Sequence, residues 1–258
     1  HQPIEIQEIY FEQSVARAAK ERQEKHDNWL KKASQWEKNE KAEEFLLKTE
    51  KECNAAEFWL EQADKTPLVT PVPIQREFIK ASREKHPPVG LRDVFISYGR
   101  AESKFFASKL HDNLRQEGYD VWFDQNDIPL GVDFQDQIDE GIEKAKNFIF
   151  VISPHSLKSI YCLKEIVLAL KRNKRIIPIL HVEPTQKEVW DKMHPAIGKI
   201  NWVYMREGFS FDIAQENFPN LDDFETAFEG LVNLIESHQE YVFNHTQILD
   251  KALSWERN

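Results

Sequence analysis

From Leu91 onward the chain alternates short apolar runs with segments of helical length, and few folds accommodate that rhythm. Val94-Phe95-Ile96, Tyr119 to Phe123, Phe148 to Ile152 and Ile176 to Leu180 read as strands, with Trp202-Val203-Tyr204 as a weaker fifth. Residues 104–116, 134–145 and 157–171 carry helical spacing between them, and 223–237 resembles a closing helix. Phe148-Ile149-Phe150-Val151-Ile152 contains no polar residue. A strand with one wet face alternates polar and apolar positions; an uninterrupted apolar strand is buried on both. Strands joined by crossover helices pair in parallel. The expected fold is α/β, a five-stranded parallel sheet covered by helices on both faces.

The residues before Leu91 are of a different kind. Between residues 4 and 64 there is neither glycine nor proline, and Trp29, Ala33 and Trp36 recur at helical period among Glu and Lys. Residues 1–65 are therefore expected to form a helical hairpin or bundle module. Pro67, Pro71 and Pro73 then break the helix. Residues 66–90 read as a Pro-rich linker with a short helix over 75–84, closed by His86-Pro87-Pro88-Val89-Gly90. Residues 91–237 hold the α/β part. The last segment, 238–258, is expected to begin a second helical module as a truncated repeat. His245 to Asn258 aligns without gaps to His26 to Asn39, with seven of 14 positions identical.

Charge and composition exclude several function classes. A net charge of −10 leaves no Lys/Arg excess to neutralise phosphates or an anionic membrane, so no nucleic-acid and no membrane contact is expected. No apolar run approaches the ~18 residues needed to span a bilayer. Cys53 and Cys162 fall in separate helical segments, which suits free thiols in a reducing, cytoplasmic compartment. The histidines show no metal-ligand spacing and no Gly-rich run ends in Lys-Ser or Lys-Thr, so neither a metal nor a P-loop is expected.

Three segments of the α/β part carry a family resemblance. They are Asp93-Val94-Phe95-Ile96-Ser97-Tyr98-Gly99-Arg100; Gly118 to Asp124 followed by Ile128-Pro129-Leu130-Gly131; and Phe150-Val151-Ile152-Ser153-Pro154 continuing to Ser159-Ile160-Tyr161-Cys162-Leu163-Lys164-Glu165. In this order and at these intervals they resemble the Toll/interleukin receptor (TIR) domain over a little more than half the chain. The resemblance implies a flavodoxin-like sheet, whose ligands lie beyond the carboxyl ends of the strands at the switch point. It also implies that Ile128, Pro129, Leu130 and Gly131 belong to a loop used for assembly with other TIR domains.

In the enzymatic branch of that family, a glutamate at the Glu165 position cleaves the nicotinamide–ribose bond of NAD+. The resemblance therefore implies that Glu165 is catalytic and that Ser97, Tyr98, Gly99, Arg100, Phe123, Asp124 and Tyr161 bind substrate. Tyr161 stands where the family often has tryptophan. The chemistry suits a single carboxylate: nicotinamide leaves as a neutral base, and the positive charge left on the ribose is stabilised by a nearby anion. NAD+ is then the substrate and no cofactor is needed. The expected function is a NAD+ glycohydrolase switched on by TIR self-assembly in an immune or antiphage signalling system. A non-catalytic TIR–TIR scaffold and a nucleotide sensor that does not cleave are the rival readings.

Overall fold

A computed structural model of the chain describes residues 2–66, 69–88, 90, 92–123, 134–206 and 224–237, with side chains described from Val15 onward and, in the helix that opens at 134, from Asp136. The described residues fall into two compact units, one drawn from residues 1–89 and 115–119, the other from 90–114 and 120–258.

Among its described residues, the first unit holds the α-helices α1 (Gln2–Lys38), α2 (Glu50–Lys65) and α3 (Pro73–Lys85). The apolar stripe anticipated on α1 is its buried face. Trp29, Ala33 and Trp36 are buried in one cluster with Cys53, Ala56 and Trp59 of α2 and Phe78 and Ile79 of α3. The tryptophans pack tilted, Trp29 on Trp59 at 6.5 Å and Trp36 on Phe78 at 5.8 Å between ring centroids. The short helix expected near residues 75–84 is thus α3, and it completes this core. Each end is chemically marked. Thr49 caps α2 by accepting from the Glu52 N–H at 3.1 Å, and Pro73 opens α3 where no N–H is needed. Glu40 and Lys41, with φ of 55° and 59°, turn the chain out of α1 through the left-handed region.

The second unit is a sheet of five parallel strands in the order β2-β1-β3-β4-β5. The strands are β1 (Arg92–Ser97), β2 (Val121–Phe123), β3 (Ala145–Ile152), β4 (Arg175–Leu180) and β5 (Val203–Tyr204). The helices are α4 (Arg100–Gln116), α5 (Phe134–Lys144), α6 (Pro154–Lys158), α7 (Ile160–Lys171), the single turn α8 (Lys187–Trp190) and α9 (Phe224–Glu236). This is the expected α/β architecture. The apolar run 148–152 is buried throughout and pairs with β1 on one side and β4 on the other. Phe95 stacks between Trp122 at 4.5 Å and Phe148 at 5.4 Å, which ties β2, β1 and β3 on one face. Burying side chains of this size contributes about 1.5–3 kcal/mol each.

At two places the boundaries differ from the sequence reading for plain local reasons, beside smaller shifts at the starts of α4 and β2. β3 begins at Ala145, directly after α5, so the ladder with β1 opens at Arg92↔Ala145. The single helix expected over 157–171 is two. Ser153 caps α6 and Ser159 caps α7, each side chain accepting from the backbone N–H three residues on. A serine that satisfies a free N–H starts a new helix instead of continuing the old one.

A buried glutamine pins the helical unit. The Gln75 amide nitrogen donates to the His26 carbonyl of α1 at 2.9 Å, while its oxygen accepts from the Val72 N–H at 2.9 Å. Gln75→Ala leaves both backbone groups without that partner in a dry site. It is expected to lower the stability of this unit by about 1–3 kcal/mol, measured as a shift in the denaturant midpoint followed by tryptophan fluorescence.

Candidate functional site

The site lies where β1 and β3 end. The strand order reverses there: β1 leads to β2 on one side and β3 leads to β4 on the other. The loops leaving the two strands diverge and open a crevice beyond their carboxyl ends.

Two ties hold α7 against the end of β1. Ser97, the last residue of β1, donates its hydroxyl to Glu165 Oε2 at 2.6 Å. One residue on, the Tyr98 carbonyl accepts from Cys162 Sγ at 3.5 Å. Ser97 is only 2% exposed, whereas Glu165 is half-buried. The carboxylate is therefore anchored from below by a buried donor. Tyr161 sits one helical turn before Glu165 on the same side of α7 and is 65% exposed. The helix thus presents an aromatic ring and an anchored carboxylate together.

The rest of the crevice is built by close packing. The Tyr98 ring lies against Phe123 at the end of β2, with centroids 5.1 Å apart, and Phe123 lies against His111 of α4 at 5.3 Å. Gly99 has no room for a side chain: a Cβ there would stand 2.5 Å from the Ser156 backbone nitrogen and 2.9 Å from Ser153 Oγ. Arg100, exposed, opens α4 at the same edge.

The structure places Ser97, Tyr98, Gly99, Arg100, Phe123, Tyr161 and Glu165 on β1 and the loop after it, α4, β2 and α7. It joins Ser97 to Glu165 and Tyr98 to Phe123 directly. Asp124 and the loop residues Ile128, Pro129, Leu130 and Gly131 lie outside the described residues.

Two supporting arrangements escaped the sequence reading. Glu102 of α4 reaches the start of α6, where its Oε2 accepts from Ser153 Oγ at 3.1 Å and from the His155 N–H at 3.2 Å. An anion at a helix N-terminus is favourable, so Glu102 braces the loop after β3 against α4. His181, just past β4 and 2% exposed, shares a hydrogen bond with Ser103 through Nδ1 at 2.9 Å and stacks on Phe106 at 4.2 Å. Both join residues far apart in the chain, 51 and 78 positions from one another. The signals were slight: a Glu in the first turn of α4 and a His closing an apolar strand.

The family model described as TIR domain matches residues 94–218. The NAD(+) hydrolase SARM1 of Danio rerio is 33% identical over 108 residues, which are 38% of this chain and 14% of that protein. The 2' cyclic ADP-D-ribose synthase BtTIR of Bacteroides thetaiotaomicron is 31% identical over 98 residues, 36% of this chain and 34% of that protein. The chain therefore spans about a third or less of the length of these curated relatives. Among solved structures, the TIR domain of the Toll-related receptor TRR-2 from Hydra magnipapillata is 20% identical, covers 57% of this chain and 99% of that one, and has a TM-score of 0.42.

The cysteine beside the site is chemically quiet. Burial, reinforced by the negative Glu165, pushes the Cys162 thiol up to about 12. Raising a thiol's pKa keeps it protonated and un-nucleophilic as pH climbs through the range where free cysteine ionises. Iodoacetamide is therefore expected to leave Cys162 unmodified in the native protein between about pH 7 and 9, and to label it once denaturant is added. Rapid native labelling, read by mass spectrometry, would contradict this packing.

Proposed function

We propose, on the premise that residues 94–218 form a TIR domain, that this domain hydrolyses NAD+ at the nicotinamide–ribose bond. The observation that carries the reading is the Ser97–Glu165 hydrogen bond at 2.6 Å, which fixes a carboxylate at the crevice beside an exposed aromatic ring. The names of the relatives, NAD(+) hydrolase and 2' cyclic ADP-D-ribose synthase, support the same chemistry.

The bond that breaks joins the ribose C1′ to the pyridinium nitrogen. Its electrons leave with nicotinamide, which departs neutral, so no acid has to protonate it. Positive charge gathers on C1′ and the ring oxygen, and the Glu165 carboxylate stabilises it. Water then adds at C1′, giving ADP-ribose and one proton; attack by a hydroxyl of the same molecule gives a cyclic isomer instead. Ser97 orients the carboxylate, Tyr161 walls the nicotinamide, and Arg100 at the start of α4 meets the pyrophosphate. Tyr98, Gly99, Phe123 and Asp124 complete the substrate crevice. NAD+ enters as substrate, with no further cofactor. Assembly with neighbouring TIR domains through residues 128–131 switches the activity on, in a cytoplasmic immune or antiphage system.

A second reading, a non-catalytic TIR–TIR scaffold, is favoured by one observation. Ile160, Tyr161 and Leu163 are 61%, 65% and 43% exposed on one helix, an apolar surface of the kind that binds partners.

Release of nicotinamide from NAD+ separates the two readings. Glu165→Gln keeps the size of the side chain and removes its charge, and is expected to cut turnover by at least about 10²- to 10³-fold with an unchanged melting temperature. Turnover equal to the parent protein would remove Glu165 from the mechanism, and a parent that releases no nicotinamide when assembled would favour the scaffold. Ser97→Ala frees the carboxylate without deleting it. It is expected to lower kcat by about ten- to a hundredfold while changing KM little.

A further inference from the structure

The residues assigned to the crevice fall into groups on different elements. Tyr98, Gly99 and Arg100 lie on the loop after β1 and at the first residue of α4, whereas Tyr161 and Glu165 lie on α7. A dinucleotide that runs from Arg100, at its pyrophosphate, to Glu165, at the ribose beside nicotinamide, has its reacting bond placed by the spacing of these two elements. Ser97 ties the end of β1 to Glu165, but Arg100 stands three residues further on. Something has to carry the registration into α4.

Glu102 is placed to do this. It sits in the first turn of α4, two residues after Arg100, and its Oε2 accepts from both Ser153 Oγ and the His155 N–H at the start of α6. That corner is itself tied down. Ser153 is fully buried, its hydroxyl also accepts from the Ser156 N–H at 3.3 Å, and Gly99 abuts both serines. The Gly99 carbonyl in turn accepts from the Ser103 N–H at 3.0 Å, beside Glu102. From the same corner α6 runs five residues to Ser159, whose side chain accepts from the Cys162 N–H at 3.3 Å and opens α7. The path from Glu102 to Tyr161 is short and made of capped helix ends. We propose that Glu102 is a positioning residue, a latch between the first turn of α4 and the α6–α7 corner that sets Arg100 and Glu165 at the spacing one bound NAD+ requires. This inference rests on the NAD+ reading above. Glu102 is exposed, so replacing it opens no dry cavity, and its loss is felt in geometry rather than in melting.

The latch needs an acceptor oxygen at full side-chain length, not a charge. Glu102→Gln keeps the oxygen and the length, Glu102→Asp keeps the charge but withdraws the oxygen by one methylene, and Glu102→Ala removes both. In the assembled full chain, kcat for nicotinamide release from NAD+ is expected to fall about ten- to a hundredfold in the Ala and Asp variants, with KM within about threefold of the parent. The Gln variant is expected to stay within about threefold of the parent kcat. The reverse order, in which Asp keeps turnover and Gln loses it, assigns Glu102 a role as a charge and overturns the latch. Parent-like kcat in the Ala variant, or an effect confined to KM, overturns it as well. Amide exchange separates this inference from the NAD+ reading. The His155 amide is expected to exchange at least about tenfold faster in Glu102→Ala than in the parent or in Glu102→Gln, whether or not NAD+ is turned over. Unchanged exchange overturns the latch itself. Faster exchange in a protein whose assembled parent releases no nicotinamide overturns the NAD+ reading, and the positioning role with it, while the latch stands.

Discussion

The site rests on the pairing of β1 with β3. Their ladder runs from Arg92↔Ala145 to Ser97↔Phe150, and it sets Ser97 level with the last turns of a strand buried on both faces. Because the strand order reverses between these strands, the chain leaves their ends on either side. The loop after β1 and the capped start of α6 fill the space between from two directions. At Gly99 backbone meets backbone with no space for a methyl group. The position of Glu165 follows: α7 can only lie where the β1–β3 pair and the Ser159 break allow.

Much of this was legible in the residues, and the parts that were not share a cause. Apolar runs mark strands because burial on both faces leaves no room for alternation, so β3 and β4 could be read directly. The buried stripe of α1 was equally plain, since Trp29, Ala33 and Trp36 keep helical period. Ser159 was read through as mid-helix, since a serine's preference for caps is local and weak against apolar neighbours on either side. The side-chain ties were hidden altogether. Ser97 and Glu165 are 68 positions apart and Glu102 and Ser153 are 51 apart, so their meeting is a product of the fold rather than of any spacing. Resemblance to a family named the residues of the crevice; only the geometry shows that Ser97 spends its hydroxyl on the carboxylate.

The two units use their polar residues in contrasting ways. In the helical unit, buried polar side chains serve the backbone: Gln75 answers a carbonyl and an N–H, and Ser82 Oγ accepts from the Leu47 N–H at 3.2 Å. Near the crevice, buried serines face other polar side chains, as in Ser97 with the half-buried Glu165, Ser153 with the exposed Glu102 and Ser103 with the buried His181. The first kind of bond specifies a packing arrangement; the second fixes the orientation of groups that can carry charge.

Pro178 has a consequence for how this domain can meet another. It stands inside β4, and β5 joins that strand only beyond it, at Ile179↔Val203 and Leu180↔Tyr204. A proline has no N–H to offer a neighbouring strand. Among the described residues, the outer flank of the sheet is consequently a poor template for an added strand, and its last member is two residues long. Growth of the sheet from copy to copy, the route by which exposed β-edges turn into fibres, is blunted at this flank. Contacts on that side have to be made by side chains, whose identity is set by the sequence, rather than by the backbone.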